Sequence, residues 1–155
     1  MPVAPGKPVP DFSAEATGGT VRLADYAGRH LILYFYPKDN TPGCTAESMD
    51  FRDRHDEFLA AGASILGVSR DSLRSHEGFK AKLGLPFELI SDGDETLCTE
   101  FDVIRQKNMY GKKVRGIERS TFLIGPTGTL LREWRGLKVP GHVDEVLEAV
   151  RGSQS

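Results

Sequence analysis

With 155 residues, 20 basic and 22 acidic side chains and a formal net charge of −2, the chain is sized for a single domain, 1–155, that can enclose its own core. The charge balance gives no electrostatic reason for a nucleic-acid or anionic-membrane partner, and no apolar run approaches the ~18 residues of a spanning helix. The start, Met1 to Pro8, lacks the apolar core of a signal peptide, so the expected compartment is the cytoplasm, where thiols stay reduced and cysteines are catalytic more often than structural.

Residues 1–10 are proline-rich and are expected to run extended over the surface. Segments 11–16 and 20–23 are expected to form a small hairpin with Gly18-Gly19 at its turn, followed by a short turn at 25–28. The run 31–36 is apolar throughout, the pattern of a central strand covered on both faces. Residues 45–61 read as one helix, with Cys44, Ser48, Phe51, His55, Phe58 and Leu59 along one face and Gly62 as its stop. A second buried strand is expected at 63–68, a helix at 72–83 ended by Gly84, a short strand at 87–90 and a short helix at 95–101 that carries Cys98 near its start. Segment 103–110 opens a hairpin turning at Gly111-Lys112-Lys113. Strands 121–125 and 129–134 pair around Pro126-Thr127-Gly128, and 143–150 is the closing helix. Alternation at this spacing implies a mixed α/β sheet with right-handed crossovers, and periodicity alone leaves several α/β folds open.

The stretch 37–44 hands a buried strand over to a helix start. Thr41 as N-cap and Pro42 at the first helical position would put Cys44 in the first turn. Free backbone N–H groups and the positive end of the helix dipole favour a thiolate there, and the thiolate is the reactive species. The competing reading is a buried structural cysteine beside an ordinary capped helix.

Pro37, Thr41 and Cys44 stand as Pro-x-x-x-Thr-x-x-Cys, the active-site motif of peroxiredoxins, and the run 35–47 resembles the Q-type, or bacterioferritin-comigratory, branch of that family. The likeness continues through 65–72 and 91–94 to 119–124. It implies a thioredoxin-like sandwich with an N-terminal β-hairpin extension. It implies a thiol-dependent peroxidase that reduces hydrogen peroxide and organic hydroperoxides. The electrons would come from thioredoxin, glutaredoxin or a small thiol, without cofactor or metal, and the chain would be a monomer. In that reading Cys44 attacks the O–O bond and becomes a sulfenic acid. The Thr41 hydroxyl and the backbone N–H groups of Gly43 and Cys44 donate to the peroxide oxygens, and Pro37 shapes the loop and shields the thiolate. Arg119, just before 120–124, is the cation that steadies developing charge. Glu47, one turn past Cys44, would orient Arg119.

Many Q-type members carry a resolving cysteine five residues after the reactive one, where this chain has Met49. Others carry it in the following helix, at about Lys80 here. The expectation is therefore a one-cysteine mechanism, with Cys98 packed beside Leu97 and Phe101 as a structural residue. The alternative is that Cys98 resolves Cys44. A thiol–disulfide oxidoreductase on the same fold is disfavoured, because Thr41 and Cys44 hold the two places of Cys-x-x-Cys. A redox sensor or holdase without turnover remains a second reading of Cys44. His30, His55, His76 and His142 lack metal-ligand spacing and read as packing or surface residues. Arg105, Lys107, Lys112, Lys113 and Arg115 read as a solvated basic hairpin rather than a nucleic-acid site.

Overall fold

The run 31–36 offers no polar face to water, so it demands cover on both sides. In the computed structural model, which describes residues 3–153, it lies inside a seven-stranded sheet. In chain order the strands are β1 (Ser13–Ala16), β2 (Gly19–Arg22), β3 (His30–Phe35), β4 (Ala63–Ser69), β5 (Glu88–Ser91), β6 (Ile104–Met109), β7 (Lys112–Ile117), β8 (Ser120–Ile124) and β9 (Leu130–Arg135). The helices are α1 (Pro42–Asp53), α2 (His55–Ala60), α3 (Leu73–Leu83), α4 (Thr96–Glu100) and α5 (His142–Gly152). The sheet order is β2-β1-β5-β4-β3-β8-β9, while β6 and β7 form a separate ribbon. The strands β3, β4 and β5 are parallel and joined by helical crossovers; the remaining pairings are antiparallel. This is a mixed α/β sandwich of the thioredoxin-like kind, with the β1–β2 hairpin added at one edge. Among the described residues no helix is long and apolar enough to cross a membrane.

Strand periodicity divides the interior into two cores. Leu31, Leu33 and Phe35 face one of them, with Val3, Val9, Cys98, Phe101 and Ile117. Ile32, Tyr34 and Tyr36 face the other, with Cys44, Phe51, Phe58, Phe79 and Val146. Full burial of an aliphatic or aromatic side chain of this size contributes about 1.5–3 kcal/mol. Helix α1 is seated on β3 by the Tyr34–Phe51 stack, with ring centroids 4.7 Å apart, and by a 2.9 Å hydrogen bond between the Tyr34 hydroxyl and Ser48 Oγ. Ser72 caps α3 by accepting from the Ser75 N–H, and Gly84 ends the helix in the left-handed region at φ 64°.

The structure corrects four local expectations. The single helix over 45–61 is two helices, broken at Arg54 (φ −102°, ψ 3°), whose guanidinium bonds Asp144 on α5 and Glu57. The break shifts the helical phase, so Leu59 leaves the inward face and is 44% exposed. The proline-rich start is not merely laid on the surface. Its backbone bonds to residues 128–130 through Gly6, Lys7 and Val9, and it drives Val3 and Val9 into a core; residues 1 and 2 lie outside the description. The basic hairpin turns at Tyr110-Gly111, both with positive φ, which brings Lys112 and Lys113 into β7.

Candidate active site

Sheet register brings the site together. β8 runs antiparallel to β3 with Ser120 opposite Phe35, so Arg119 arrives at the end of β3 from which the chain leaves for α1. There Pro42 stands at the first helical position and Cys44 in the first turn, 1% exposed. The first four N–H groups of a helix have no intrahelical acceptor, which leaves those of Gly43 and Cys44 free at the same helix start as Sγ. Arg119 Nη2 lies 3.4 Å from Cys44 Sγ. Gly43 permits that approach: a Cβ there would stand 3.0 Å from Arg119 Nη2. The structure thus brings Cys44, Gly43, Arg119 and Glu47 into one cluster. Thr41 flanks the helix with extended backbone, but its hydroxyl donates to the Lys38 carbonyl at 2.8 Å and does not cap α1. A hydroxyl rotor can redirect that hydrogen. Pro37 is exposed, so any cover it gives the thiol comes from the solvent side.

Glu47 is fully buried and accepts from Arg119 Nη1 at 2.7 Å, while its second oxygen has no described partner. The pair is unequal. Burial pushes the Glu47 carboxyl up to about 7, with Arg119 opposing. Burial also works against the Arg119 cation, but Glu47 and then Cys44 outweigh it and the pKa rises. A guanidinium held this way keeps one edge for the carboxylate and the other for sulfur. The raised Glu47 value has a consequence for stability. Its contribution is fully present below the ordinary carboxylate value of 4.5 and is lost as pH rises through about 7, on the order of 3 kcal/mol in all. Glu47→Gln, neutral throughout, should therefore gain stability relative to the parent across that window. Parallel denaturant titrations at several pH values measure the difference; a pH-independent gap would contradict it.

Cys98 sits apart. It is fully buried on α4 in the other core, which also holds Phe101 and Phe35, with the sheet between it and Cys44. Asp92 accepts from the backbone N–H groups of Leu97 and Cys98 at 3.0 and 2.7 Å. Burial, then Asp92, push the Cys98 thiol far above its ordinary range. Both cysteines are free. At the two positions where the family resemblance would place a resolving cysteine, Met49 is half-buried and the Lys80 ammonium is ion-paired with Glu88. The histidines are scattered: His30 meets Ser153, His142 meets Thr121, and His55 lies against Phe87. His76, read as a packing or surface residue, is instead the centre of a buried polar cluster with Asp39.

The AhpC/TSA family model matches residues 5–132. Peroxiredoxin Bcp of Xanthomonas campestris pv. campestris is 57% identical over 142 residues, covering 91% of this chain and 89% of the relative. A solved structure of the Xanthomonas campestris bacterioferritin comigratory protein, described in terms of its alkyl peroxide reduction activity, superposes with a TM-score of 0.88 at 54% identity, covering 93% of this chain and 92% of that one. A cysteine-to-serine variant of Xylella fastidiosa PrxQ superposes with a TM-score of 0.94 at 44% identity, covering 100% and 99%. Fold and relatives together define a thiol peroxidase on a thioredoxin-like scaffold. The chain belongs to the peroxiredoxin family, in its Bcp, or peroxiredoxin Q, branch.

Proposed function

We propose that the chain, acting as one domain and as a monomer, reduces hydrogen peroxide and organic hydroperoxides by a one-cysteine mechanism centred on Cys44. The observation that carries the one-cysteine reading is that Cys44 and Cys98 belong to separate cores on opposite faces of the sheet. A disulfide needs its Cα atoms within about 7 Å, so joining the two would require α1 or α4 to leave its core.

Cys44 Sγ attacks one peroxide oxygen. The S–O bond forms as the O–O bond breaks, and the departing hydroxide or alkoxide takes a proton to become water or alcohol. Arg119, at 3.4 Å from sulfur, stabilises charge as it passes from sulfur to the leaving oxygen, and the N–H groups of Gly43 and Cys44 donate to the peroxide. Glu47 keeps Arg119 in place, Thr41 turns its hydroxyl to the substrate, and Pro37 limits water. An external thiol then attacks the sulfenic acid, giving a mixed disulfide and water. A second thiol releases Cys44 reduced. Thioredoxin, glutaredoxin and small thiols are the reductant classes that this step accepts, and the cytoplasm is the compartment that keeps them reduced. The alkyl peroxide activity described for the Xanthomonas protein supports the organic hydroperoxide part of the reading.

Cys98→Ser tests it. The variant is expected to keep thiol-supported peroxide turnover within about twofold of the parent. Turnover that stops after a single equivalent of peroxide would assign Cys98 a resolving role.

A further inference from the structure

Segment 37–41 has no regular structure of its own, and Asn40 stands in the left-handed region at φ 64°. Asp39 is what ties it down. Its backbone N–H donates to Asp71 Oδ2 at 2.9 Å. Its carboxylate accepts from the Tyr36 hydroxyl at 2.6 Å, the Ser75 hydroxyl at 2.8 Å and His76 Nδ1 at 2.8 Å. Burial pulls the Asp39 carboxyl up, but the bonds from His76, Tyr36 and Ser75 more than offset it, so it lies below its ordinary value and is ionised.

The other ring nitrogen of His76 also faces acceptors. Nε2 meets the Ile90 carbonyl at 2.9 Å, and a carbonyl oxygen only accepts, so Nε2 carries a hydrogen. Ser69 Oγ, 3.4 Å away, also presents a lone pair, because its hydrogen is engaged by Asp71 Oδ2 at 2.5 Å. Nδ1 faces an ionised carboxylate. His76, with no exposed surface, thus has an acceptor facing each ring nitrogen. A carboxylate oxygen of Asp39, one of Asp71 and a ring nitrogen of His76 lie within 4.8 Å of one another, so a doubly protonated ring would bring one positive charge to two carboxyl groups. A neutral imidazole has one N–H, so it could hold Asp39 or Ile90 but not both.

We propose that His76 is a positioning residue for the Cys44 reaction: the buried imidazolium clamps Asp39 to α3 and β5, and so holds segment 37–41 with Thr41 and Cys44 set for the peroxide. The proposal rests on the Cys44 reading. A failure of that reading shows separately, as unmodified protein whose Cys44 peroxide does not oxidise.

The test uses the full chain with His76→Gln, Asp39→Asn and the double variant. Oxidation of Cys44 by hydrogen peroxide is timed by rapid mixing, well below each melting temperature. Each single variant is expected to slow oxidation at least tenfold, and the double variant is expected to be no slower than the worse single one, because both remove one clamp. Parent-like oxidation rates in folded variants would overturn the proposal, as would a double-variant loss equal to the product of the single losses. Nitrogen-15 NMR of the imidazole in the unsubstituted protein needs no variant to fold. Both ring nitrogens are expected to be protonated; one unprotonated nitrogen overturns the clamp.

Discussion

Replacing Cys44 with serine is expected to abolish peroxide turnover while the fold persists. The two side chains differ by one atom, and the site is enclosed, so the helix start can accept serine with little rearrangement. Chemistry separates them. A serine hydroxyl is not appreciably ionised near neutrality, and the group in contact with this position is a guanidinium that is always protonated, with the Glu47 carboxyl engaged at that guanidinium's other edge. The expected result is no thiol-supported peroxide loss above the uncatalysed rate, with an unchanged far-ultraviolet circular dichroism spectrum. Retained peroxidase activity in the folded variant would remove Cys44 from the mechanism.

Arg119→Ala is expected to slow Cys44 oxidation by at least about tenfold, a transition-state loss above roughly 1.4 kcal/mol. Two effects add. The guanidinium contact to sulfur is lost, and with it the cation next to the leaving oxygen. Glu47 also loses its countercharge while remaining fully enclosed, which drives its carboxyl further toward the protonated form. That proton relieves part of the stability cost of a broken buried pair. The variant should therefore fold and yet react slowly. Stopped-flow oxidation at the parent rate would show that Arg119 acts on structure alone.

Much of this site was legible because its signals are local. The apolar run 31–36, the Thr41-Pro42 helix start and the position of Cys44 lie within one strand-to-helix junction, and the structure places Pro42 and Cys44 where those signals put them. Arg119 is different. Its approach to Cys44 depends on the antiparallel register of β8 on β3, which no local pattern carries, and only the family resemblance pointed to it. The helix break at Arg54 leaves no mark in the sequence, since no glycine or proline stands there; the chain turns where Arg54 reaches Asp144 on α5. Val3 and Val9 were hidden among prolines, and their burial depends on backbone pairing with residues 128–130. The role of His76 is hidden from the sequence for a related reason. Its spacing to Phe79 does mark an inward face of α3, but its partners Asp39 and Ile90 come from a loop and a strand distant in sequence. The separation of the two cysteines is legible only once the alternation along β3 is assigned to two faces.

The central claim is that Cys44 alone carries the redox chemistry. Mass spectrometry of the reduced protein after one equivalent of peroxide, without reductant and with a sulfenic-acid trap present, tests it most directly. The account predicts trapped sulfenic acid at Cys44 with Cys98 still a free thiol. An intramolecular Cys44–Cys98 disulfide, or oxidation that begins at Cys98, would contradict it.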